Sequence, residues 1–148
     1  MTKISQRCQY ALRAVYGLAR VWQGPPVPVS RIALQQDIPQ RFLELIFQDL
    51  RRAGIVKSHR GPRGGYTLQV APDVLTVGRV MQLFEGVLAP VDCELCGGKR
   101  YCPLKENCAF AGLWRAARQS AAQVYISTTF QDLLDGHVEL ERRPPSTP

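Results

Sequence analysis

Acid is scarce in the first half of this chain. Residues 1–70 hold three Asp and Glu against eleven Lys and Arg, a balance of +8, whereas residues 71–148 hold nine acids against eight bases. The whole excess of the +7 chain therefore sits in its first half. Phosphate backbones are the commonest partner of such a face, while an anionic membrane surface would call for a basic amphipathic helix. Long apolar runs are also missing: no window approaches the roughly eighteen uninterrupted residues of a membrane span, so no membrane partner is expected. Histidine is limited to His59 and His137. His59 lies among arginines and His137 near the end, which leaves hydrolytic chemistry little to work with. Internal repeats are absent. No signal peptide precedes Thr2 to Tyr10, so a reducing, cytoplasmic compartment is expected.

Cysteine is rare outside one stretch. Four of the five fall between Cys93 and Cys108, at C-x2-C-x5-C-x5-C, among Gly, Pro, Lys, Asn and Glu residues that favour turns. A loop this polar needs something to hold it. Thiolates converging on a metal or an iron-sulfur cluster would do so, because the binding free energy becomes local folding free energy. Disulfides fit poorly with a reducing compartment and an odd cysteine count. A structural zinc site favours two close pairs or cysteine–histidine mixtures, and here only Cys93 and Cys96 are close. A thiol oxidoreductase would place Cys93-x-x-Cys96 at a helix N-terminus after a strand, which this pattern lacks. A cysteine thiol switch is the other alternative to a cluster.

At 148 residues and 45% hydrophobic the chain is one domain, or a small domain with an attached arm, and can build a core. From Ile4, the residues Cys8, Leu12, Val15, Ala19 and Trp22 recur at helical spacing, up to Gly24-Pro25-Pro26. Cys8 on that face reads either as a small buried hydrophobe or as a ligand. Ser30 reads as an N-cap for a short helix over Arg31 to Gln36, and Pro39 as the start of a second helix carrying Leu43, Ile46, Phe47 and Leu50 on one face. Two short helices joined tightly make a helix-turn-helix. Strands over 55–59 and 66–70, joined by Gly61-Pro62-Arg63-Gly64-Gly65, make a hairpin carrying Lys57, His59, Arg60 and Arg63, the wing of a winged helix. Thr76 caps a further helix with Val77, Val80, Met81 and Phe84 on one face. Phe110 to Ile126 is helical, with a stripe of Leu113, Ala117, Ala121 and Val124 that little remaining chain can cover. A second subunit is the expected cover, giving a dimer suited to a palindromic site. Thr129 to Asp132 reads as a capping box.

Several stretches together resemble a known family: Tyr10-Ala11-Leu12-Arg13-Ala14, Leu50-Arg51-Arg52-Ala53-Gly54-Ile55-Val56, Arg60-Gly61-Pro62-Arg63-Gly64-Gly65-Tyr66, Leu88-Ala89-Pro90-Val91-Asp92-Cys93 and Ser127-Thr128-Thr129. They are similar to the bacterial winged-helix iron-sulfur regulators typified by IscR, NsrR and RirA, over nearly the whole chain to about Leu134. The resemblance implies a homodimeric transcription regulator, a repressor, that carries a 4Fe-4S or 2Fe-2S cluster and is not an enzyme. The family's three cysteine positions fall on Cys93, Cys102 and Cys108, with Cys96 extra and a competitor of Cys93 for first ligand. Ala111 stands where some relatives have a ligating histidine, and Gln9 where others have a carboxylate, which leaves Cys96 or Cys8 as fourth ligand. For DNA, the resemblance points to Gln40, Arg41 and Glu44 on the recognition helix and Arg60 on the wing. Arg41 suits a bidentate pair to guanine, and Glu44 suits cytosine. Arg51, Arg52, Lys57, His59 and Arg63 suit phosphates, and Ser30 completes the set.

The expected architecture is mainly α with a small β-hairpin. A winged helix-turn-helix domain spans 1–86, a cysteine-rich cluster loop 87–109, dimerisation helices including a long C-terminal one 110–136, and a disordered tail 137–148. The expected partners are double-stranded operator DNA and a second copy of the chain, with RNA polymerase reached only indirectly.

Overall fold

The computed structural model describes residues 4–86 and 108–137. Most of the loop expected over 87–109, and the tail after His137, lie outside them. Helix α1 spans Gln6–Ala19 and is opened by Ser5, whose hydroxyl accepts the Cys8 N–H at 3.2 Å. Its buried face is Cys8, Ala11, Ala14, Val15, Leu18 and Ala19. Of the face expected from the sequence, Cys8, Val15 and Ala19 are buried and Leu12 is half-buried, but Trp22 is not, because the helix stops at Ala19 and a turn over 20–23 follows, with Gln23 at φ 63°. Trp22 thereby loses helical phase and stands 37% exposed, while the alanines let neighbouring helices approach closely.

Helix α2 (Val29–Gln36) and helix α3 (Gln40–Arg52) form the tight pair. Pro28, not Ser30, holds the N-cap of α2: its extended backbone suits that position, and its carbonyl accepts from Arg31 and Ile32. Ser30 falls inside the first turn and is exposed. Asp37 ends α2 in the left-handed region, and the Ile38 N–H returns to the Ala33 carbonyl at 3.0 Å. Leu43, Ile46, Phe47 and Leu50 of α3 are all buried, as their spacing predicts. Each contributes roughly 1.5–3 kcal/mol of burial.

Strands β1 (Val56–His59) and β2 (Gly65–Leu68) pair antiparallel, Val56 opposite Leu68 and His59 opposite Gly65. Against the expected 55–59 and 66–70, β1 starts one residue later and β2 runs 65–68, while the Gln69 N–H still bonds to the Ile55 carbonyl at 2.9 Å in the same register. Val27 and Tyr66 exchange both backbone hydrogen bonds, at 3.0 and 2.9 Å, which lays the segment before α2 along β2. That contact explains the last glycine of the turn: Gly65 has φ 150°, and a Cβ there would lie 2.3 Å from the Val27 carbonyl oxygen.

Helix α4 (Val77–Glu85) is capped by Thr76 and ended by Gly86. It packs on α1 and on helix α5 (Ala111–Ser127). Gly78 permits the second contact, since a Cβ there would meet the Tyr125 and Ile126 backbone at 3.0 Å. Helix α6 (Phe130–Asp135) returns the chain to the main core, in which Phe130 is fully buried and against which Leu133 and Leu134 pack.

The α6 cap is the expected reciprocal box. Asp132 N–H donates to the Thr129 hydroxyl at 3.0 Å, and the Thr129 N–H donates to the Asp132 carboxylate at 2.8 Å. The bonds from Thr129, side chain first, hold the Asp132 carboxyl below its ordinary range. A depressed carboxylate stabilises the fold above its unfolded pKa and loses that contribution as pH falls through its folded value. Thr129→Ala, which removes both bonds of the cap side chain, should therefore destabilise the fold at neutral pH. The gap to wild type should narrow in acid, and urea melts at neutral and acidic pH would show both effects.

Candidate nucleic-acid interface and cysteine site

Burying four side chains on one face of α3 turns its remaining side chains outward. Gln40, Arg41, Glu44, Gln48, Arg51 and Arg52 are all exposed. The Gln40 side-chain amide donates to Glu44 Oε1 at 2.9 Å, so the two N-terminal polar side chains are held as a unit. Arg51 and Arg52 occupy the last turn, where the helix dipole favours cations. Arg52 also lies 3.6 Å from Asp49. Ser30 is exposed at the head of α2.

In the wing, Lys57, Arg60 and Arg63 are exposed, whereas His59 is half-buried and its Nε2 is 2.9 Å from the Thr67 hydroxyl. That bond takes one of its two ring nitrogens. Phe47 on α3 stacks on Tyr66 of β2, with centroids 4.4 Å apart, so helix and wing are packed as one piece.

The first turn of α1 joins this piece to the end of α4. Ser5 donates its backbone N–H to Glu85 Oε1 at 3.0 Å and its hydroxyl to the same oxygen. Arg7 pairs with Asp49 of α3 and lies over the Phe84 ring, 5.6 Å from its centroid. Sequence periodicity could not find these residues, because they are polar contacts between helices distant in the chain.

Of the candidate ligands, Cys93, Cys96 and Cys102 lie outside the described residues. Cys108 is half-buried at the head of α5, its carbonyl accepting the Ala111 N–H, and its thiol is free. Cys8 is fully buried with Val77 and Met81, also free. Burial, and then the nearby Glu85 carboxylate, push its thiol up to about 12, which holds it neutral. The structure therefore places Cys8 in the core between α1 and α4. Among the described residues no three metal-ligating side chains come together. The donor set itself, four thiols in sixteen residues with neither histidine among them, has the chemistry of an iron-sulfur or zinc site.

A helix-turn-helix with a basic outer face, joined to a hairpin tipped by arginines, defines a winged-helix protein of the DNA-binding regulator class. The comparisons agree. Residues 4–136 match the model of the Rrf2 family, described as iron-dependent transcriptional regulators, and the chain belongs to that family. It is 38% identical over 134 residues to the HTH-type transcriptional regulator IscR of Aliivibrio salmonicida, covering 90% of this chain and 73% of that protein. It is 34% identical over 131 residues to the HTH-type transcriptional regulator CymR of Bacillus subtilis, covering 88% of each. The solved structure of CymR, the global cysteine regulator of B. subtilis, superposes with a TM-score of 0.77 at 33% identity, covering 92% of this chain and 98% of that one. These relatives are transcriptional regulators, not enzymes.

Proposed function

We propose that this chain is a dimeric transcription repressor that binds a palindromic operator and reports the state of an iron-sulfur cluster held by its cysteine loop. The observation that carries the DNA half is α3. It buries Leu43, Ile46, Phe47 and Leu50 and turns Arg41, Glu44 and Arg52 outward, beside a wing with Arg60 and Arg63 exposed. Arg41 and Glu44 then face base edges, while Arg51, Arg52, Lys57 and Arg63 neutralise phosphates and set the register.

The sensing half rests on the thiol-only donor set and on the IscR relative. Cys102 and Cys108 would supply two ligands and Cys93 and Cys96 the others. The sealed, neutral Cys8 supports Cys96 over Cys8 as the fourth. Such a cluster, when bound, supplies thiolate-ligated iron that responds to oxygen, nitric oxide or iron supply. The chain's own part is transmission. Glu85, two residues before the loop, holds Ser5, and Arg7 in the same turn holds Asp49 on the recognition helix. A shift at the end of α4 would thus be felt at α3. A coupling of about 1–3 kcal/mol, or 5- to 150-fold in operator affinity, suffices for a switch.

A second reading, a thiol switch without a cluster, is favoured by the CymR likeness. Protein purified without oxygen separates the readings. Broad visible absorption with stoichiometric iron, lost together with the DNA response in Cys102→Ala, is the expected result. A colourless protein with zinc moves the reading to a structural site. A colourless protein without metal, whose DNA affinity follows thiol oxidation, moves it to the switch.

A further inference from the structure

At about 100° per residue, Arg41, Leu45, Gln48 and Arg52 fall within about 60° of one another on α3, on the side opposite its buried face. Three are polar or charged. Leu45 is not, yet it is 56% exposed and belongs to neither apolar cluster of the fold. The other exposed apolar residue of this helix, Phe42, leans edge-on against Tyr10 of α1. Leu45 thus stands on the outermost line of the recognition helix with an arginine one turn before it and another two turns after it.

We propose that Leu45 is a specificity-determining residue that reads the 5-methyl group of a thymine in the major groove. This rests on the DNA-binding reading above. Charge selects the occupant: a line flanked by Arg41 and Arg52, in the half of the chain that carries +8, faces a polyanion. On the floor of the major groove every base pair presents hydrogen-bond donors and acceptors, and the thymine methyl is its one apolar group. A leucine cannot satisfy a donor or acceptor, so against the amino group of cytosine it would strip water and return nothing. Against thymine it buries a methyl group on each side. Leu45 would add a preference for thymine next to the base pairs read by Arg41 and Glu44.

The test uses the full chain and a duplex recovered by repeated selection from a random-sequence pool. Each thymine is replaced in turn by deoxyuridine, which keeps the base pair and removes only the methyl. The expected result is one thymine per half-site at which the replacement weakens binding roughly fourfold, the value of one buried methyl group. Leu45→Ala should abolish the sensitivity at that thymine alone, and Leu45→Met should retain it. Leu45 is outside the core, so neither variant should alter the thermal melt. Sensitivity that is unchanged in Leu45→Ala, or absent in wild type, overturns the proposal while leaving DNA binding intact. Failure of the pool to yield any enriched sequence overturns the DNA-binding reading and this proposal together. Binding that does not depend on thymine methyls would leave Leu45 as a protein-contact residue.

Discussion

Phe47→Ala should lower the unfolding free energy by about 3–5 kcal/mol, the usual cost of emptying a buried phenylalanine site. Phe47 is fully buried, and its ring stacks on Tyr66 at 4.4 Å with the planes 22° apart. The loss is large against the ~5–15 kcal/mol that holds a domain of this size together. It also falls where function is built. Tyr66 follows Gly65, whose backbone passes under Val27, so removing the Phe47 ring loosens the recognition helix from both the wing and the entry to α2. Phe47→Leu refills most of the volume and should give back most of the stability, leaving about 0.5–1.5 kcal/mol for the lost ring stacking. Urea unfolding of the three proteins measures this. A loss below about 1 kcal/mol in Phe47→Ala, well under the usual range, would show that helix and wing are held together by something other than this pair.

The helix-turn-helix and wing were legible because short-range patterns determine them. Leu43, Ile46, Phe47 and Leu50 repeat at helical spacing on a helix thirteen residues long, and the glycine-rich turn announces the hairpin. The capping box at Thr129 was equally local. What the pattern missed was set by tertiary contact. Trp22 keeps helical spacing with Cys8 and Val15 in the sequence, but the helix ends before it, at Ala19. Pro28 takes the cap that the sequence offers to Ser30, because a fixed φ and a carbonyl that accepts the Arg31 and Ile32 N–H groups serve the α2 start without a side chain. Gly78 reads as an ordinary helix interior, and only the passage of Tyr125 and Ile126 at 3.0 Å explains it. At the candidate site, exposure of Gln40, Arg41 and Glu44 followed from the buried face. Their hydrogen bond to one another did not, nor did the Ser5–Glu85 and Arg7–Asp49 links, because polar pairing has no period.

Leu113→Glu combined with Val124→Glu should convert a dimer into a monomer and weaken binding to a full palindrome by roughly 10²- to 10⁴-fold, the gain normally conferred by linking two binding modules. Helix α5 is the reason. It is seventeen residues long, about 25 Å, and none of its residues is buried. Trp114, Ala121 and Tyr125 are half-covered, whereas Leu113, Val124 and Ile126 stand 57%, 42% and 58% exposed. A helix this apolar gains little in water by itself, since most helical stability in proteins comes from packing a face. The expected stripe of Leu113, Ala117, Ala121 and Val124, of which only Ala121 is half-covered, is small enough for two copies to approach closely, and two-fold packing along it would pair each winged domain with one half of a palindrome. Neither substituted side chain is buried within its own subunit, so the winged part should stay folded, and binding to an isolated half-site should be nearly unchanged. Sedimentation of both proteins, with titrations of full and half operators, separates these effects. A variant that remains dimeric would place the subunit contact elsewhere. A monomeric variant that kept full operator affinity would show that α5 pairing does not contribute to DNA binding.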